Sequence, residues 1–285
     1  MNTIEFTDAN SRDTYFSLHN IRGAHRLSLG EGVKVGIIDW LFAMDEHPGL
    51  YAGFADITGA PEQLQMSGHG EWMAVALREI APKCKIFAIN AITYGVESDR
   101  AKLLTEAIEW AIENGIEILT YSHAAFFGGE KAIVSKALKA ASASAAGIIT
   151  TFIHCDSPHN IFPYACYPFK QTADFERRPD VNILHYDYNH LLTNVYERYH
   201  TLIAEKKSIQ SGDDIPYFSF SSMSAVLGGF AALMKRVKRD LSAEECRRIL
   251  IETSYEIPAK GVNWYDVGEC DRVVDIGKAV TALST

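Results

Sequence analysis

The sequence places an acid, an imidazole and hydroxyls where nucleophilic chemistry would need them. Asp39 ends the apolar run Val33–Ile38 (VKVGII). His69 lies in Ser67-Gly68-His69-Gly70, directly before the helical stretch Glu71–Ile80. Ser221 and Ser222 lie in Ser219-Phe-Ser-Ser-Met-Ser-Ala225, at the start of another helix. A serine hydroxyl is a weak nucleophile near neutral pH and needs an adjacent base. Singly, each residue has a commoner role. An aspartate at a strand end caps or turns the chain, a lone histidine packs or hydrogen-bonds, and a serine before a helix caps it. Only the combination argues for catalysis. Other clusters argue less. His154, Cys155, His159 and Cys166 are a possible metal set, but their spacing matches no zinc motif. Tyr186-Asp-Tyr-Asn-His190 and Tyr196–His200 suit a cleft lining or plain surface, and Arg177-Arg178 and Lys206-Lys207 read as solvated charge. Gly228-Gly229 falls inside a helix and reads as close packing, not as a phosphate loop.

The elements that must position these residues alternate between strand and helix. Val33–Ile38, Lys85–Ile89 (KIFAI), Ile116–Thr120 (IEILT) and Ile148–Ile153 (IITTFI) are short, β-branched apolar runs, the pattern of buried parallel strands. Between them, Leu103–Asn114 puts Leu104, Ile108 and Ala111 on one helical face, with Gly115 as a C-terminal stop. Lys131–Ala146 is an alanine-rich helix closed by Gly147, and Ser222–Lys238 is a helix rich in small residues. Ser242-Ala-Glu-Glu245 is a capping box for a helix reaching about Thr253. This order predicts an α/β fold, a central parallel sheet with helices on both faces. Such sheets hold ligands at the carboxyl ends of their strands, where Asp39 sits.

Composition narrows the function. The 285 residues are 47% hydrophobic and 22% charged, as in ordinary globular proteins. The net charge of −9 argues against a nucleic-acid surface, which needs excess Lys and Arg to displace counterions. The opening MNTIEFTDANSRDTYF has no secretory pattern, and no apolar run approaches the ~18 residues of a membrane span. Five cysteines without CxxC spacing suggest neither disulfides nor a zinc knuckle, so a cytoplasmic location is expected.

The segments carrying these residues resemble the subtilase family of serine proteases. VKVGIID followed by His47-Pro48-Gly49-Leu50 resembles the family's strand ending in the triad aspartate and its HPDL-type turn. SGHGEWMA resembles the helix start with the triad histidine, and EIAPKCKIFAINAI the stretch after that helix. AIEWAIENGIEILTYS resembles the helix and strand leading to the substrate edge, and FSFSSMSAVLGGFAAL the segment bearing the nucleophile. The match runs from about residue 16 to residue 280. It implies a single subtilisin-like three-layer domain over 1–285, with 1–15 as an N-terminal extension too short for a folding pro-segment.

The resemblance also implies roles. Asp39, His69 and a serine would hydrolyse peptide bonds, the imidazole taking the serine proton and the carboxylate fixing the imidazole tautomer. An ungapped match through Gly229 and Ala231-Ala232-Leu233 selects Ser221, whereas the Ser-Met pair selects Ser222. One helical residue turns a side chain by about 100°, so the two are not equivalent; Ser221 is preferred because more helix positions agree. Where the family has an oxyanion asparagine, an ungapped count from Gly147 reaches Asp156, and slips of one or two residues reach Cys155 or His154. His154 is able to donate, whereas an ionised Asp156 is not. Loss of one such donor costs about 100- to 1,000-fold in rate. Ser122, His123 and Ala124 begin the segment replacing the family's glycine-rich edge, which pairs with substrate by strand addition. Trp40 and Trp72 stand beside the triad positions where the family has small or polar residues. The expected function is a serine endopeptidase of narrow specificity; the alternative is a weak or inactive pseudoprotease binding a peptide or protein partner in the same cleft. No cofactor is evident, and calcium is implied only by the resemblance.

Overall fold

A computed structural model of the chain describes residues 16–17, 19–93, 99–123, 129–152, 220–256 and 272–284. Its centre is a five-stranded sheet of β1 (Lys34–Asp39), β2 (Tyr51–Asp56), β3 (Lys85–Asn90), β4 (Ile118–Tyr121) and β5 (Ile149–Phe152). Their order is β2-β3-β1-β4-β5, and every pairing is parallel. The chain lays β2 and β3 on one side of β1 and then crosses to β4 on the other. The carboxyl end of β1 is therefore the place where the strand order reverses, and such a switch point opens a crevice.

Alternation along the strands feeds two cores. Val35 and Ile37 of β1 face one side of the sheet, Ile38 the other. On the first side lie α2 (His69–Ile80), α5 (Phe220–Val237), α6 (Ala243–Thr253) and α7 (Ile276–Leu283), together with the short α1 (Ile21–His25). On the second lie α3 (Arg100–Glu113) and α4 (Gly129–Ser142), which bury Leu104, Ile108, Ala111, Val134 and Leu138 against Ile89, Leu119 and Phe152. This is the three-layer α/β arrangement expected from the sequence. Each fully buried Leu or Ile contributes about 1.5–3 kcal/mol.

Small residues set how closely α5 approaches. A Cβ at Gly228 would lie 2.5 Å from Thr120 Cγ2, and one at Gly229 2.6 Å from Ile80 Cβ. The pair is close packing, as read. The α3 stop is also as read: Gly115 adopts φ 64°, its N–H donates to the Ile112 carbonyl, and Ile116 N–H donates to that of Ala111. These are the two bonds of a Schellman motif.

One strand was not foreseen, and two expectations need correction. The strand β2, YAGFAD, lacks a β-branched run and is exposed or partly exposed at every position but Ala55, so periodicity did not mark it. Helix α4 ends at Ser142, short of Ala146, because Ser144 Oγ and Gly147 at φ 53° turn the chain first. Of the capping box, the Ser242 half forms, its Oγ accepting from Glu245 N at 3.1 Å; the Glu245 carboxylate instead takes Lys238 Nζ at 2.7 Å. Two further short strands, β6 (Tyr255–Glu256) and β7 (Arg272–Val273), form an antiparallel pair. No helix of the described residues is long and apolar enough to cross a membrane.

Candidate active site

Asp39 is the last residue of β1 and is fully buried. One carboxylate oxygen accepts the Trp40 N–H at 2.9 Å. His69 opens α2, and its Nδ1 lies 2.9 and 2.8 Å from the two Asp39 oxygens. An ionised carboxylate only accepts, so Nδ1 carries the proton. That tautomer leaves the Nε2 lone pair free for a second task.

Main-chain bonds hold this pair together. Gly68, at the N-cap of α2, has no side chain with which to satisfy the helix's first amides. The loop leaving Asp39 does so instead: Gly70 N–H donates to Trp40 O at 2.8 Å and Glu71 N–H to Leu41 O at 3.0 Å. Bringing those carbonyls into place puts Leu41 at φ 59° and Ala43 at φ 46°, a left-handed region costing L-residues about 1–2 kcal/mol each. The approach leaves no room for side chains. A Cβ at Gly68 would fall 2.7 Å from Leu41 Cδ1, and one at Gly70 2.7 Å from both Trp40 O and Phe42 Cε1. The glycines flanking His69 are thus needed for steric reasons.

Burial lowers the basicity of His69, but the Asp39 charge and hydrogen bond outweigh it and leave the imidazole above its ordinary 6.5. His123 goes the other way. Burial depresses it, Asp39 opposes, and His69 and Arg100 add to the depression. The His69 ring centre stands 6.1 Å from that of Trp72 and 6.3 Å from that of His123.

The start of α5 is fastened by hydroxyls. Ser122 Oγ donates to Ser221 O at 2.8 Å and lies 3.5 Å from Met73 Sδ. Ser224 is fully buried; its Oγ accepts from Tyr121 N at 3.2 Å and donates to Thr151 O. Thr151 Oγ1 returns a bond to Ser224 O at 2.9 Å. Ser221 lies three residues before Ser224 and seven before Gly228, on the helical row that faces the strands. The structure therefore brings Asp39, His69, Ser122 and His123 to the carboxyl ends of β1 and β4, with the Ser221 main chain tied to the same place. Ala124, His154, Cys155 and Asp156 lie outside the described residues, as do the side chain of Ser222 and the rest of the His/Cys set. Among the described residues, no three His, Cys, Asp or Glu side chains form a group able to hold a metal.

One buried group was not read from the sequence. Glu71 is 2% exposed, with His47 Nε2 2.6 Å from one oxygen and Ser67 Oγ 2.5 Å from the other. Its position in the first turn of α2 resembles an ordinary dipole-compensating acid, and only the fold brings His47 against it.

No family model matches the sequence, and no curated protein matches it significantly. Solved structures do match. The serine protease MycP1, an essential component of the type VII (ESX-1) secretion system, superposes over 98% of this chain and 91% of its own, at 16% identity and a TM-score of 0.58. The A-subunit of the AB5 toxin from E. coli matches over 95% and 99%, at 13% identity and a TM-score of 0.58. The MycP3 protease of the type VII (ESX-3) system matches over 98% and 91%, at 16% identity and a TM-score of 0.55. With its parallel sheet, its layered helices and an aspartate–histidine pair at the switch point, the chain has the fold of the subtilisin-like serine proteases.

Proposed function

We propose that the chain is a serine endopeptidase that uses Asp39, His69 and Ser221 to hydrolyse a peptide or protein substrate of narrow specificity. The observation that carries this reading is the contact of His69 Nδ1 with both oxygens of the buried Asp39. In the proposed reaction, Ser221 Oγ attacks the scissile carbonyl as its proton passes to His69 Nε2. The imidazolium, stabilised by Asp39, then protonates the leaving amine, and water repeats the sequence to release the acyl group. The amides at the start of α5 and the positive end of the helix dipole favour the oxyanion. The Ser122 bond to Ser221 O and the strand-facing row shared with Ser224 support Ser221 over Ser222.

His69 acts as a base only when neutral, and Asp39 holds it above 6.5. The acid limb of kcat/KM is therefore expected above pH 6.5. The buried free thiols Cys84 and Cys246 are consistent with a reducing, cytoplasmic setting, which is part of the proposal. A fluorophosphonate probe tests it directly. Labelling of the wild type that disappears in Ser221→Ala and persists in Ser222→Ala supports the assignment. A folded wild-type protein that takes no label points instead to a peptide-binding pseudoprotease.

A further inference from the structure

We propose that Glu71 is a positioning residue for the Asp39–His69 pair: its buried carboxylate ties the turn before His69 to the loop after Asp39 and so sets where the imidazole stands. Ser67 Oγ donates to one Glu71 oxygen at 2.5 Å and His47 Nε2 to the other at 2.6 Å. Ser67 precedes His69 by two positions and Glu71 follows it by two, so the first bond closes the chain around the imidazole. His47 belongs to the loop that leaves β1 at Asp39, so the second bond joins that closed turn to the aspartate's side of the site. The main chain adds a third tie, Glu71 N–H donating to Leu41 O at 3.0 Å.

An acid in the first turn of a helix offsets the dipole without being buried. Glu71 is buried, and removing a carboxylate from water is costly unless its oxygens are hydrogen-bonded. Here the donors come from 4 and 24 positions away, one on each side of the pair. A buried polar group satisfied in this way rigidifies one arrangement of its neighbours. The near half of the loop after Asp39 is held to the turn before His69 by main-chain bonds, Ala43 N–H to Met66 O at 2.9 Å and Met44 N–H to Leu64 O at 3.0 Å. Its far half is held to α2 through His47 and Glu71. The same loop presents the Trp40 and Leu41 carbonyls that cap α2, so a shift of the loop is passed to His69. Misplacing a reacting group by about 1 Å costs roughly 100-fold in rate. The effect on rate rests on the peptidase reading; the effect on the pair does not.

Titration of His69 by NMR in the whole chain tests the positioning without any substrate. The wild-type midpoint is expected above 6.5, and Glu71→Ala should bring it down toward 6.5 as the contact with Asp39 loosens. Glu71→Gln removes the charge but keeps the bonds, since its amide oxygen still accepts from His47 and its amide N–H donates to Ser67 Oγ. That variant should retain the wild-type midpoint. An equal fall in both variants would assign the effect to charge and overturn the positioning role, as would an unchanged midpoint in Glu71→Ala. If Glu71→Ala does not fold, Ser67→Ala decides in its place: it removes one tie, and an unchanged midpoint there overturns the proposal. Where a cleavable peptide is in hand, Glu71→Ala should lose about 100-fold in kcat with little change in KM, and Glu71→Gln should recover most of it. A wild type whose His69 titrates above 6.5 but takes no fluorophosphonate label counts against the peptidase reading, and the midpoints then decide the role of Glu71 alone.

Discussion

His19 is buried and His69 only partly so, and their basicity moves in opposite directions. His19 sits in the seam where α1 meets α7. Its Nδ1 donates to Val274 O at 2.9 Å, and its ring stands 5.4 Å from Phe230. Burial dominates there, the Val274 bond and the more distant Asp275 recover only part, and the group falls to about 4. Burial also opposes the His69 charge, but a buried carboxylate at 2.8 Å reverses the outcome. Burial alone therefore does not set a histidine's basicity. The carboxylate partner does, and its position depends on β1 ending where α2 begins.

The largest test of this contrast is Asp39→Asn. It removes the charge and reverses the tautomer preference, so kcat is expected to fall about 10,000-fold, the size seen when a triad aspartate is so replaced. His69 should then follow His19, its titration by NMR moving below 6.5 because desolvation is left unopposed. A His69 titration that stays high in the variant would break the comparison.

At the seam, the sign is that of a base buried neutral. The unfolded chain protonates His19 near 6.5 and the folded chain only near 4, so stability is present above 6.5 and is lost as pH falls toward 4. The 6.5-to-4 interval corresponds to roughly 3 kcal/mol. His69 contributes oppositely: its pairing stabilises the fold most below 6.5 and less as pH rises through its raised value. His19→Asn, which keeps a donor for Val274 O, should flatten the acid side of a urea-denaturation stability profile. An unchanged slope would assign acid sensitivity elsewhere.

A smaller effect, of about 1–3 kcal/mol, is expected from Gly70→Ala. In an ordinary helix this change is favourable by roughly 0.5–1 kcal/mol. Here the new methyl would meet Trp40 O and the Phe42 ring at 2.7 Å, and a main-chain oxygen that caps α2 cannot step aside freely. Thermal melting should show a lowered midpoint. A raised one would mean that the 40–43 loop yields and that the main-chain fastening of Asp39 to His69 is loose.

Much of the fold was readable because β1, β3, β4 and β5 are apolar runs buried on both faces, and Gly115 and Gly147 punctuate the helices between them. β2 was not, because YAGFAD has no β-branched run and is exposed or partly exposed at every position but Ala55. In the site, Asp39 and His69 stand out from their motifs, each at the junction of an apolar element and a turn. The sequence alone thus determined the α/β layering and which acid and imidazole end at the carboxyl edge of the sheet. Tertiary structure decided what depends on elements distant in the chain: the Asp39–His69 bond, the pairing of Glu71 with His47, the approach of His123, and the tie from Ser122 to Ser221 O across 99 positions. Periodicity records only which face of an element is buried; hydrogen bonds and charges act over a few ångströms, and only folding brings such residues that close.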